Sequence, residues 1–211
     1  MTASTSGKRR LGRPPKGERG DTRQELLDAA LSLFAKQGYA ATTVRQIADA
    51  VGIRDSAIYG HFQSKRELFE TLIEESGPGL IDELDVDFDR LSERPPSEAL
   101  PDFFEQLVQA WDRPRSRMMI SMLTREGLEG VAEILDEVRD RFVGHFHRWA
   151  DDGLIRDDVS VEQLVWELTT PLGAIRLLHL RAGASPPERR KGREFAQKHV
   201  AYFLTTAAPE G

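Results

Sequence analysis

Residues 42 to 65, TTVRQIADAVGIRDSAIYGHFQSK, constrain this chain more than any other stretch, because they encode two short helices on either side of a tight turn. Val44, Ile47, Ala48 and Val51 recur at helical spacing and give the first helix one buried stripe. Thr43 with Gln46 three residues on is a capping-box start, in which each side chain satisfies a backbone donor of the other. Gly52 breaks the pattern, ending that helix and turning the chain into a second one from about Arg54 to His61, with Ile58 and Phe62 turned inward. Arg54, Asp55, Ser56, Tyr59 and His61 are left facing out. A helix-turn-helix lays its second helix in the major groove, so it needs an apolar seam between its helices and polar groups on the outward face. Both are written here.

The run Thr42-Thr43-Val44-Arg45-Gln46-Ile47-Ala48, then Val51-Gly52-Ile53, Ala57-Ile58-Tyr59, His61-Phe62 and Ser64-Lys65, resembles the DNA-binding region of TetR-type transcriptional regulators over about residues 20 to 80. One departure stands out: Arg54 and Asp55 occupy the start of the reading helix, where such proteins often carry Ser or Thr, and this leaves the base preference open.

The charge distribution agrees with a nucleic-acid partner at one end. Residues 1 to 70 hold 12 Lys/Arg against 8 Asp/Glu, a net of +4, while the remainder hold 17 against 27, a net of -10, within an overall -6. A phosphate backbone attracts the first part and repels the second, which orients the encounter. There are no cysteines among the 211 residues, which removes disulfides and thiolate metal sites and makes a reducing cytoplasm the default compartment. No apolar run reaches the roughly 18 residues of a membrane span; the longest, Leu164 to Leu180, is interrupted by Glu167 and Arg176.

Three regions follow. Residues 1 to 20 are rich in Gly, Pro, Ser and Arg with little to bury, and read as a disordered basic arm. Arg9, Arg10 and Arg13 flank or form a Gly-Arg-Pro core similar to half of an AT-hook, whose arginine enters the minor groove of A·T-rich DNA; a solubilising tail is the equal alternative. Residues 21 to 80 read as the DNA-binding domain, with the helix-turn-helix at 43 to 62. Its first helix is opened by a capping pattern at Thr22 and Glu25, and a fourth helix by Ser64 and Glu67. Residues 77 to 96 are acidic, a short amphipathic helix or loop. From 81 to 211 the chain reads as a C-terminal effector-binding and dimerisation domain, with helices over 97–112, 115–127, 131–151, 160–181 and 187–206. The expected fold is all-α, an N-terminal three-helix DNA-binding unit plus a larger C-terminal helical ligand-binding and dimerisation domain.

No catalytic constellation is present in the pattern. His145 and His147 lie two apart and point to different faces of a helix, a poor metal pair and a surface reading; without a nucleophile-base pair or a phosphate loop, neither an enzyme nor a bound cofactor or metal is expected. Phe104, Leu107, Trp111, Met118, Met122, Phe146, Trp149 and Trp166 concentrate large adaptable side chains that either line an effector pocket or form plain core. Glu167 and Arg176 are polar candidates for the same ligand or for an interface salt bridge. Pro171 removes a backbone hydrogen bond inside its helix and should kink it.

One short reading helix covers only a few base pairs, so specificity calls for two half-sites related by two-fold symmetry, a palindromic operator and a homodimer. Resemblance implies that the last two helices pair with their copies, through Leu172, Ile175, Leu178, Phe195, Val200 and Phe203. The expected mechanism is a repressor in which Thr43, Arg45, Arg54, Asp55, Ser56 and Tyr59 approach bases or phosphates, His61 and Lys65 fix the backbone, and a small molecule weakens binding. The rival is a ligand-free architectural protein whose acidic C-terminal surface recruits a partner.

Overall fold

A computed structural model of the protein describes residues 19–74, 87–127 and 129–209, and among these every regular element is helical. The basic arm, with Arg9, Arg10 and Arg13, and residues 77–86 of the acidic stretch lie outside the described residues. The elements are α1 (Arg19–Gln37), α2 (Val44–Val51), α3 (Asp55–Ile58), α4 (Lys65–Glu74), a 3-10 helix (Phe88–Glu93), α5 (Pro96–Trp111), α6 (Pro114–Glu126), α7 (Glu129–Asp151), α8 (Val161–His179) and α9 (Pro186–Thr206).

Local signals set most of the boundaries. Gly38 ends α1 at φ +89° and Gly52 ends α2 at φ +76°, both in the left-handed region that glycine enters without a Cβ clash. Ser160 caps α8, accepting from the Gln163 N–H at 3.2 Å. Helix α9 starts on a capping box that the sequence reading missed, Ser185 with Glu188, followed by Pro186 in the first turn. The pattern at Thr22 and Glu25 does not open α1, which begins earlier, at Arg19. Helix α8 continues through Pro171 to His179 without a break.

Two hydrophobic cores result. The N-terminal core joins Leu26, Leu27, Leu31 and Phe34 of α1 to Ile47, Ile58, Phe62, Leu68 and Leu72, and also takes in Met119, Ile120, Met122 and Leu123 from α6. Met118 packs against its margin. The two methionines expected near a pocket therefore belong to the seam between the reading head and the rest of the protein, where a flexible thioether fills an irregular gap between helices.

The C-terminal core is aromatic. Phe142, wholly buried, meets Phe88 at 5.1 Å, Phe103 at 5.4 Å and Phe104 at 5.7 Å between ring centroids, the last pair stacked. Phe146 continues the array to Trp149 at 5.3 Å and Phe203 at 6.0 Å. The Trp149 indole N–H, buried with its ring, donates to the Arg94 carbonyl at 2.9 Å. His145 is a correction: it is buried, not on the surface, with Nδ1 3.0 Å from the Ser92 hydroxyl and its ring edge-on to Phe88. Burial foremost, and then the nearby Arg148, hold its imidazole below the usual range.

Candidate nucleic-acid interface

Helices α2 and α3 meet over Ile47, Ala48 and Ile58, all buried. At the start of α2 the Thr43 hydroxyl accepts from the Gln46 N–H at 3.2 Å, and the Gln46 amide oxygen accepts from the Thr43 N–H at 2.8 Å. Gln37, from the end of α1, donates to the same amide oxygen and to the Thr42 hydroxyl. After α3 the chain makes one more turn, in which the His61 and Phe62 N–H groups both donate to the Ile58 carbonyl, at 2.8 and 2.9 Å. Phe62 is buried, with the Arg23 guanidinium over its ring.

Outside this frame, Arg54, Asp55, Ser56 and Tyr59 are exposed, Tyr59 to 60%. Arg45 is also exposed, 3.9 Å from an equally exposed Asp49. Such a pair contributes about 0–1 kcal/mol, so the guanidinium can exchange it for a phosphate. Two of the expected contacts have local duties. The Thr43 hydroxyl serves the cap, and the Asp55 carboxylate accepts from the Ser56 N–H at 2.9 Å. His61 is half-buried.

Lys65 is placed differently from expectation. Its ammonium donates to the Tyr39 carbonyl at 2.6 Å and the Thr42 carbonyl at 2.7 Å, and sits 4.1 Å from the centre of the Tyr39 ring. Two of its three protons are thereby used inside the protein. Lys65 straps the loop between α1 and α2 onto α4, which makes it a positioning residue for the reading pair.

A second strap comes from α6. The Glu126 carboxylate accepts from the Tyr39 N–H at 2.7 Å, Arg125 donates through Nε to the Ala35 carbonyl in the last turn of α1 at 2.8 Å, and Arg115 pairs with Asp28. An arginine on the unpaired carbonyls of a helix end satisfies them and matches the negative end of the dipole. Sequence reasoning missed all three residues, because their partners lie 87 to 90 positions away and leave no local pattern.

In the C-terminal region Leu107, Phe146 and Trp149 are packed in the aromatic core, and Trp111 is buried beneath Arg176. Phe146 and Trp149 border a concavity of about 150 Å³, and Phe104 a groove of about 530 Å³ between α5 and α9. Trp166 and Glu167 point outward on α8, Glu167 accepting from the Gln163 amide at 2.7 Å. Arg176 stacks over Trp111 at 5.1 Å, its Nε without a partner and with no carboxylate in ion-pair range among the described residues; burial pushes its guanidinium down to about 10.

Leu172, Val200 and Phe203, expected on a dimer face, are buried in the protomer's own core, and Ile175 is half-buried against it. Helical periodicity gives two adjacent apolar stripes on α8 and α9, and the inner one contains these residues. Leu178 and Phe195 are exposed, as are Trp166 and Tyr202.

Residues 26–72 match the family model described as bacterial regulatory proteins, tetR family. The HTH-type transcriptional repressor KstR2 of Rhodococcus jostii (strain RHA1) is 34% identical over 151 residues, 66% of this chain and 71% of that protein. The HTH-type transcriptional repressor AcnR of Corynebacterium efficiens is 32% identical over 172 residues, 78% of this chain and 85% of that one. Among solved structures, SmeT, the repressor of the Stenotrophomonas maltophilia multidrug efflux pump SmeDEF, shares the fold at a TM-score of 0.71 and 21% identity, over 90% of this chain and 91% of its own. A SmeT–triclosan complex matches equally broadly, at a TM-score of 0.70 and 22% identity over 90% and 93%.

Proposed function

Because the chain belongs to the TetR family of bacterial regulatory proteins, we propose that it is a homodimeric, sequence-specific transcriptional repressor, acting in the cytoplasm and released from a palindromic operator by a small molecule. The observation that carries this reading is the exposed face of Arg45, Arg54, Ser56 and Tyr59 on a helix pair fixed by the Thr43 cap and the Gly52 turn. Its guanidinium and hydroxyl groups suit phosphate oxygens and base edges, with phosphate contacts positioning the protein and the Arg54 to Tyr59 groups reading sequence. The Asp55 carboxylate favours a cytosine amino group over a phosphate. Repressors among the relatives support the sign of regulation.

The exposed Trp166, Leu178, Phe195 and Tyr202 form the surface through which α8 and α9 meet their copies. Two reading heads then reach half-sites about one helical turn, ~34 Å, apart. Arg125 and Glu126 give the C-terminal region a grip on both α1 and the loop that starts α2. An effector that moves α6 changes the pose of each reading head, and a coupling of about 1–3 kcal/mol suffices for release.

The test is to sequence genomic fragments captured by the purified protein at physiological salt. A few strong palindromes are expected, bound by two chains each. Diffuse capture without two-fold symmetry would contradict the proposal and favour an architectural protein.

A further inference from the structure

The groove between α5 and α9 has opposed chemical ends. The two helices run antiparallel, so the end of α5 lies beside the start of α9. At one end the groove is lined by Phe104, Val200, Ala201 and Leu204. At the other it reaches Gln109, Arg190 and Arg193, where it opens into a second concavity bordered by Asp112, Arg113 and Arg189. Its volume of about 530 Å³ is that of a small-molecule site, typically ~300–1,000 Å³.

The basic end is short of counter-charge. One carboxylate, Asp112, is shared by Arg117 at 3.0 Å, Arg189 at 3.1 Å and Arg193. The Arg189 Nε is buried without a partner, and the exposed Arg113 and Arg190 have no ion pair among the described residues. Glu105 and Glu194 flank the middle of the groove, Glu105 holding the Gln109 amide at 3.3 Å, and neither reaches the arginine cluster. Three guanidinium groups on one carboxylate, with Arg113 and Arg190 lining the same end, leave an excess of positive charge there beside an apolar channel.

We infer that this groove binds a small amphipathic anion, its apolar body between α5 and α9 and its carboxylate or phosphate head on Arg190 and Arg193. The assignment deepens the effector reading above and rests on it for its consequence. A head group on Arg193 competes with Asp112 for it. Asp112 also holds Arg117 in the first turn of α6, and the last turn of that helix carries the Arg125 and Glu126 straps. Occupancy of the groove is thereby connected, through named ion pairs and hydrogen bonds, to the loop that starts the reading pair.

The experiment titrates the full chain with dodecanoate, and with dodecanol as the uncharged control, by calorimetry. Dodecanoate should bind at least tenfold more tightly than dodecanol. Arg190→Glu should weaken it at least tenfold, and Ala201→Trp, which fills the apolar end from an exposed position, should abolish it, both without loss of melting temperature. No dodecanoate binding, equal affinity for dodecanol, or wild-type binding in either variant overturns the assignment. DNA capture, read separately, isolates the rest. Binding that follows these variants but leaves capture unchanged keeps the groove and removes its role in release. Release by dodecanoate that ignores both variants overturns the groove and keeps the repressor reading.

Discussion

The reading head and the C-terminal helices are stabilised over different distances in sequence. In the reading head the helix boundaries are set by contacts that span three residues, Thr43 with Gln46, the Gly52 N–H on the Asp49 carbonyl and the Glu67 N–H on the Ser64 hydroxyl, with Lys65 and a small core as the longer-range ties. The C-terminal core depends on aromatic rings drawn from four elements, Phe88, Phe103 and Phe104, Phe142 with Phe146 and Trp149, and Phe203. A unit specified by local caps is shaped correctly on its own terms but has little with which to hold its orientation. That task falls to α6, whose methionines share its core and whose Arg125 and Glu126 clasp its backbone.

The contrast can be broken by substitution. Phe142→Ala removes the ring at the centre of the array and should cost about 3–5 kcal/mol, lowering the melting temperature by roughly 10 °C. Thr43→Ala removes one cap and should cost about 1 kcal/mol. Equal losses in thermal denaturation would erase the distinction between a long-range and a local architecture.

Arg176 sharpens it from the other side. Its guanidinium is charged at neutral pH in both the folded and unfolded chain, and its buried Nε has no partner and no carboxylate in ion-pair range among the described residues, so its charging opposes folding below about 10 and is relieved only above it. Arg176→Met should therefore stabilise the protein by about 1–3 kcal/mol at pH 7 in urea denaturation. Destabilisation would mean that the charge has a partner the account omits.

Lys65→Met should lower stability by about 1–3 kcal/mol, because two loop carbonyls lose their donor, while the salt dependence of DNA binding keeps its slope. A direct phosphate contact would instead make the slope smaller by about 1.

The smallest effect is titration of His145. Its imidazole is held below the usual value of about 6.5 in the fold and not in the unfolded chain, so stability is full above that pH and declines as pH falls through the folded value. Wild type should lose stability between pH 7.5 and 5.5 faster than His145→Gln. Parallel pH profiles would place the titrating group elsewhere.

Legibility in the sequence followed the same divide. Thr43, Gln46, Gly52 and the exposed Arg54 to Tyr59 groups could be read because each signal lies within one or two turns of its partner. Lys65 could not be placed, since its partners Tyr39 and Thr42 lie 26 and 23 residues back. Met118 and Met122 looked like pocket residues because periodicity identifies an apolar face without naming what it meets, and here it meets α1. Val200 and Phe203 were misassigned between two adjacent stripes of one helix for the same reason. The arginine cluster on Asp112 joins residues up to 81 positions apart and had no signature at all.

The proposed DNA-reading face is formed by the exposed Arg45, Arg54, Ser56 and Tyr59. It is tested most directly by the affinity of Tyr59→Ala for one captured palindrome across a salt series, with the melting temperature measured alongside. Binding is expected to be about tenfold weaker, ~1.4 kcal/mol, at every salt concentration, with unfolding unchanged because the ring is exposed. Wild-type affinity in that variant would contradict it.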